Sequence, residues 1–268
     1  MATDSVFTGE VAKFYETYMV PLIFEPYAPV MVRQVRSPEI SEVLEIAAGT
    51  GVLTRALADR LHERASIVAT DLNQAMLDQA AAIGTARPVR WRQADAMRLP
   101  FADASFDVVL CQFGAMFFPD KVIAFAEARR VLRPGGQFVF STWDSIAENE
   151  FADTVTTALG EMFPADPPRF LARTPHGYHE PAAITADLVA AGFGTPPRIS
   201  TVTARSRAHS PHIPAIAYCH GTPLRDEIEA RGDLDAATAV AEQALAQQFG
   251  SGAVDGKIQA HIVTVVNR

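Results

Sequence analysis

The stretch VLEIAAGTGVLTRAL, residues 43–57, constrains this chain more than any other. It begins as a buried strand and ends as a helix. The turn between them, Ala47-Ala48-Gly49-Thr50-Gly51, carries almost no side chain. A chain that places its least bulky residues at the mouth of its first strand lets something approach the backbone closely there. Further strands are expected at 66–72 (SIVATDL), 88–96 (PVRWRQADA), 106–114 (FDVVLCQFG, nearly all apolar and so buried on both faces) and 137–144 (QFVFSTWD). Helices are expected between them at 54–63, 73–84 and 121–132. Asn73 can cap the second of these and Gly84 can stop it, and Arg133-Pro134-Gly135-Gly136 closes the third.

Strands that alternate with helices at this spacing argue a parallel sheet with helices on both faces and right-handed crossovers. The flanks are less regular. Residues 9–35 read as helical, broken by Pro21, Pro26 and Pro29, and Ser37-Pro38 leads into the first strand. Helices are expected at 148–163, 181–192 and 211–249, and strands at 198–206 and 257–268. The fold class is therefore α/β: a doubly wound, Rossmann-like, mostly parallel sheet of seven strands with a helical cover. No repeat, low-complexity tract or obvious linker interrupts the 268 residues, so 1–268 reads as one domain.

Composition narrows the partners. Lys plus Arg is 23 and Asp plus Glu is 31, a net charge of −8, which disfavours a polyanionic partner such as nucleic acid. The densest basic cluster, Arg129, Arg130 and Arg133, falls at a helix end, where cations complement the dipole. Cys111 and Cys219 make no disulfide framework. No apolar run is long enough to span a membrane, and the first residues lack the basic start and apolar block of a secretory leader. A cytoplasmic protein is the expectation.

In open α/β sheets a ligand sits beyond the carboxyl ends of the strands, near the point where strand order reverses. Gly51 is followed by Val52, Leu53 and Thr54, so the third glycine of a dinucleotide fingerprint is missing, and no Walker lysine follows. A bare G-T-G can also be a tight strand-to-helix turn. Asp71 ends the second strand, where its carboxylate can accept both hydroxyls of a ribose or simply cap the next helix. Asp95 ends the third strand. It can accept from the exocyclic amine of an adenine packed on Leu72 and Met76, or it can be a solvated turn residue.

Together VLEIAAGTG, ATDLNQAML, QADAMRLPF, FDVVLCQFGAMFFPD and LRPGG, in this order over roughly residues 43–143, resemble the class I S-adenosylmethionine-dependent methyltransferases. The likeness looks closest to the small-molecule branch that includes the ubiquinone/menaquinone-biosynthesis enzymes. One departure is that the family's first glycine is here Ala47. The resemblance implies S-adenosylmethionine as cofactor. The backbone of Ala47, Gly49 and Gly51 would pass its methionine part with Thr50 beside it. Asp71 would hold the ribose, Asp95 with Ala96 would meet the adenine, and Gln112 and Phe113 would flank the methionine and sulfonium. Tyr15 of the FYETY segment, with Tyr18 behind it in rank, would close over the cofactor. Glu45 either orients the amino group through water or satisfies backbone. The same resemblance divides the domain into an N-terminal helical cover (1–36), a cofactor-binding core (37–144) and a C-terminal half with the acceptor-site cover (145–268).

A sulfonium methyl is already activated, so catalysis can rest largely on alignment, and a base is needed only if a proton must leave the acceptor. His176, His179 and Tyr178 in TPHGYHEP are the candidates for that base, with His209, His212 and His220 further off; for each, surface or packing roles compete. No H-E-x-x-H or paired-cysteine pattern points to a metal. The acceptor is expected beneath the covers 9–35, 148–180 and 211–249, in a mostly apolar pocket. In the family this chain resembles, D-P-P-Y or N-P-P-Y after the fourth strand would mark amino-group methylation of bases or glutamine, and CQFG stands there instead. The expected reaction is therefore methyl transfer to an oxygen or carbon of a small apolar molecule by a monomer or homodimer. Two rivals remain: a nicotinamide-dependent oxidoreductase and a non-catalytic module that binds the cofactor.

Overall fold

The computed structural model describes residues 9–35 and 40–268. The Ser37-Pro38 lead-in lies outside the described residues. Seven strands form one sheet: β1 (Glu42–Ile46), β2 (Ser66–Asp71), β3 (Arg90–Gln93), β4 (Phe106–Gln112), β5 (Leu132–Trp143), β6 (Arg198–Ala208) and β7 (Val254–Val266). Their order is β3-β2-β1-β4-β5-β7-β6. β1 to β5 are parallel, and β7 runs antiparallel between β5 and β6. The chain leaves β1 outward through β2 and β3, then returns to lay β4 on the other side of β1. The reversal point is therefore the β1/β4 cleft.

Period-two alternation sorts the core onto the two faces. Val43, Val108, Leu110 and Val139 face one layer; Leu44, Val109, Phe138 and Phe140 face the other. The second layer is closed by α5 (Lys121–Val131) and α8 (Pro181–Ala190). The first is closed by α3 (Val52–Arg60), α6 (Glu150–Met162), α9 (His212–His220), α11 (Leu234–Phe249) and the N-terminal segment. Each fully buried Val, Leu or Phe contributes about 1.5–3 kcal/mol relative to exposure, so central strands read as unbroken apolar runs. The remaining helices are α1 (Gly9–Phe14), α2 (Ala28–Val32), α4 (Gln74–Ile83), α7 (Phe170–Arg173) and α10 (Leu224–Glu229).

Several expectations are corrected. Residues 9–35 fall into four helical pieces, with Pro26 and Pro29 at the starts of two of them, but Pro21 breaks none. The path stays helical and changes hydrogen-bond type instead: α1, then a π-helical segment Tyr15–Phe24 that contains Pro21, then a 3₁₀ turn Glu25–Tyr27 that contains Pro26, then α2 with Pro29 in its first turn. α3 begins at Val52, because Gly51 caps it in the left-handed conformation (φ +85°). Asn73 occupies the N-cap position of α4 but makes no capping bond; its side-chain nitrogen lies 3.5 Å from Asp71 Oδ1.

Arg133-Pro134-Gly135-Gly136 is not a loop between α5 and β5. It is a bulge inside β5, which pairs Phe106 with Leu132 and then Val108 with Gln137. Asn267 holds the bulge through backbone bonds with Gly135 and Gly136 and a side-chain bond to the Leu132 carbonyl (2.9 Å). β3 is shorter than expected, and the 211–249 stretch, read as helical with Pro211, Pro214 and Pro223 as punctuation, forms the three helices α9, α10 and α11.

Candidate functional site

A cavity opens at the carboxyl ends of β1, β2 and β4, at the reversal point. Its floor is unusual backbone. Ala47 after β1 and Phe113 after β4 both adopt positive φ (+53° and +54°), as does Gly49 (+56°). The left-handed region costs a non-glycine residue about 1–3 kcal/mol and clusters at functional sites. The floor is also tight: a Cβ on Gly114 would stand 2.4 Å from Ala47 Cβ and 2.8 Å from Cys111 Sγ.

Asp71, the last residue of β2, organises the polar end. It is 8% exposed. Its Oδ2 accepts from the Gly49 N–H and its Oδ1 from the Asn73 N–H, both at 2.8 Å. Burial raises its pKa, and these N–H donors pull the other way. Leu72 (49% exposed), Met76, Asp95 and Ala96 complete this end of the wall. Asp95 is exposed, and its Oδ1 accepts from the Met97 N–H at 2.8 Å.

Gln112 ends β4 and is 8% exposed; its Nε2 donates to the Phe24 carbonyl (3.2 Å), while its Oε1 is buried with no partner among the described residues. A buried acceptor left without a donor marks either a cost or a ligand position. The Phe113 ring stacks on Trp143 at 3.8 Å, and Tyr27 meets both rings edge-on.

Tyr15 also lines the cavity. Its ring stacks on Phe24, and its hydroxyl lies 3.7 Å from where a Gly49 Cβ would be. Burial, reinforced by the charge of Asp71, raises its pKa, so the phenol stays protonated.

Two of the expected residues sit behind the wall. Thr50 is buried with an unpartnered hydroxyl but is not among the lining residues. Gly51 is packed instead: a Cβ there would meet Trp91 at 3.0 Å and Ala80 at 3.2 Å. Glu45 is buried below the floor, where its Oε2 accepts from the Thr54 hydroxyl (2.6 Å); burial pushes its pKa up to about 8. It therefore supports α3 against β1 rather than lining the cavity.

The cavity widens into an apolar half lined by Met19, Ile23, Phe24, Phe117, Trp143, Phe170 and Tyr218. Trp143, at the end of the QFVFSTWD strand, and Phe117, in FDVVLCQFGAMFFPD after β4, carried a positional signal. The others come from the π-helical segment, α7 and α9, inside the stretches 9–35, 148–180 and 211–249 expected to cover the acceptor, but as single residues they look like ordinary core in sequence. Of the TPHGYHEP residues, Pro175 and His176 line the cavity. Tyr178 donates to Asp187 (2.7 Å), and His179 contacts the His176 carbonyl (2.8 Å) and Glu180 (3.1 Å); neither lines it. His212 pairs with Glu242 and His220 with Thr238, away from the wall. Among the described residues no helix is long and apolar enough to cross a membrane, and no group of three or more His, Cys, Asp or Glu is placed to hold a metal.

A family model described as a methyltransferase domain matches residues 44–140, which contain β1 to β4 and most of β5. The chain is 32% identical over 164 residues to the demethylmenaquinone methyltransferase of Deinococcus radiodurans, covering 57% of this chain and 68% of that one. It is 36% identical over 126 residues to the ubiquinone/menaquinone biosynthesis C-methyltransferase of Idiomarina loihiensis, covering 46% and 47%. The chain thus spans about half to two thirds of the length of such curated relatives. Two solved structures share the fold: the YcgJ protein of Bacillus subtilis (TM-score 0.58, 18% identity, 90% and 97% covered) and phosphoethanolamine N-methyltransferase 2 of Haemonchus contortus, solved with S-adenosylhomocysteine (TM-score 0.59, 15% identity, 98% and 59% covered). The sheet order, the cavity at its reversal point and these matches converge: the chain belongs to the class I S-adenosylmethionine-dependent methyltransferases.

Proposed function

We propose that this chain transfers a methyl group from S-adenosylmethionine to an oxygen or carbon of a small, largely apolar molecule. The observation that carries the reading is the two-ended cavity at the β1/β4 reversal point, with Asp71 and Gln112 at one end and an aromatic chamber at the other.

The residues present fit the cofactor. Each Asp71 oxygen accepts one backbone N–H and keeps capacity for a ribose hydroxyl. Leu72 and Met76 offer apolar surface to an adenine, with Asp95 and Ala96 at its edge. Gln112 Oε1, otherwise unpartnered, supplies an acceptor for an ammonium or amide N–H. Ala47 and Gly49 bring bare backbone to the floor, and Thr50 and Gly51 hold that turn from behind. When bound, the cofactor supplies an activated methyl on a cationic sulfur. The rings of Tyr15 and Phe113 would favour that cation by about 0.5–2 kcal/mol each where their faces meet it. The chamber residues exclude water and hold the acceptor in line, which is where the protein's share of the rate acceleration would arise.

Calorimetry with S-adenosylhomocysteine, followed by a screen of quinol, phenol and polyketide-like acceptors with isotopically labelled methyl donor, tests the reading. Saturable binding and label transfer to at least one acceptor are expected. Absence of binding, or binding of NAD instead, would overturn it.

A further inference from the structure

One group in the cavity wall has no part in holding the cofactor. His176 follows α7, is 5% exposed and lines the apolar half, its ring centroid 6.0 Å from that of Trp143. Its Nδ1 lies 2.9 Å from the Asp144 carbonyl oxygen. A carbonyl only accepts, so Nδ1 carries the proton and the neutral ring offers Nε2 as a lone pair. No hydrogen-bond partner for Nε2 exists among the described residues. Burial pushes the pKa down to about 4, which keeps the ring neutral near pH 7.

The anchor is rigid. Asp144 follows β5, and its carboxylate accepts from the Ser145 N–H (2.7 Å) and Gln259 Nε2 (2.8 Å). Its carbonyl also accepts from Asn149 Nδ2 (3.3 Å), and Asn149 is itself pinned to both ends of the Gln259 backbone. His176 is thus an oriented acceptor in the wall of the aromatic chamber, its Nε2 without a donor among the described residues.

We propose that His176 Nε2 accepts a hydrogen bond from a hydroxyl of the methyl acceptor, so that the acceptor is a planar phenol or enol. The rings of Phe117, Phe170, Trp143 and Tyr218 suit a flat molecule, and the lone pair selects the one that carries a donor. A bound analogue that lacks the hydroxyl would cover this lone pair without pairing it, which penalises that analogue. This inference rests on the methyl-transfer reading above.

The test uses the full chain saturated with S-adenosylhomocysteine and titrated with 2-naphthol, naphthalene and 2-methoxynaphthalene by calorimetry. 2-Naphthol is expected to bind about tenfold more tightly than either analogue. His176→Phe should abolish that preference, and His176→Gln, whose amide oxygen still accepts, should keep most of it. Circular dichroism establishes that each variant is folded, and the wild-type comparison stands without them. Equal affinities in the wild type, no probe binding by protein that binds S-adenosylhomocysteine, or a preference that survives His176→Phe would each overturn the proposal. Failure to bind S-adenosylhomocysteine at all would instead overturn the methyl-transfer reading, and this inference with it.

Discussion

Replacing Asp71 with alanine should separate the two roles that its carboxylate combines. In the protein it accepts the Gly49 and Asn73 N–H groups, both at 2.8 Å, and so ties the turn after β1 to the start of α4. Removing it leaves two partly buried N–H groups unpaired, at about 1–3 kcal/mol each. The buried charge whose pKa is raised disappears at the same time, which offsets part of that loss. A net destabilisation of about 1–4 kcal/mol follows, measured by denaturant unfolding. The ribose contacts are lost as well. Charge-assisted hydrogen bonds contribute about 1.5–3 kcal/mol, so affinity for S-adenosylhomocysteine should fall by one to two orders of magnitude, roughly 10- to 150-fold. Asp71→Asn keeps one acceptor oxygen but turns an amide NH₂ toward one of the N–H donors, so it should lie between wild type and alanine in stability. Calorimetry on folded variants reads the affinity. An Asp71→Ala protein that is folded and binds with unchanged affinity would refute the assignment of Asp71 to the ribose.

Two further predictions concern the floor of the site. Glu45 titrates at about 8 in the fold against an ordinary value of 4.5, so the folded state holds the extra proton between those values. Its contribution to stability is complete below about 4.5 and is lost as pH rises through about 8; relative to Glu45→Gln, the wild type should lose about 1 kcal/mol per pH unit across that window in unfolding measurements, and parallel curves would contradict this. Gly114→Ala would set a methyl 2.4 Å from Ala47 Cβ, well inside ordinary contact. The floor must shift, so stability should fall by about 1–3 kcal/mol with cofactor affinity weakened alongside, and a variant indistinguishable from wild type by calorimetry and unfolding would show that the floor yields freely.

The parts of this protein visible in its sequence are those set by periodicity over several residues. β1, β2, β4 and β5 are double-faced apolar runs, and the helices between them end at marked residues, so the parallel half of the sheet and its reversal point could be anticipated. Features set by a single close contact could not. Gly51 reads as a ligand glycine, but its Cβ position is claimed by Trp91 and Ala80 from elements that only the fold brings near. The Arg133–Gly136 stretch reads as a loop because Pro and Gly usually mark one. Asn267, more than a hundred residues away, holds it as a bulge in β5. Pro21 in the N-terminal segment signals a break, yet π-helical hydrogen bonding absorbs it. In the site, the residues at strand ends were legible because strand ends carry position. The apolar half was legible only as stretches: Met19, Ile23, Phe24, Phe170 and Tyr218 fall within the expected covers, but as single residues they are indistinguishable from core until the sheet shows what they face.

A nucleoside with a cationic sulfur lying across the ends of β1, β2 and β4 is the premise of every role assigned to this site. The most direct measurement is the difference electron density of crystals soaked in S-adenosylhomocysteine. Density is expected for the ribose against Asp71, the adenine beside Leu72 and Met76, and the amino-acid end over Ala47 and Gly49. Density elsewhere in the molecule, or none at saturating concentration in crystals whose cavity is open to solvent, would contradict that premise.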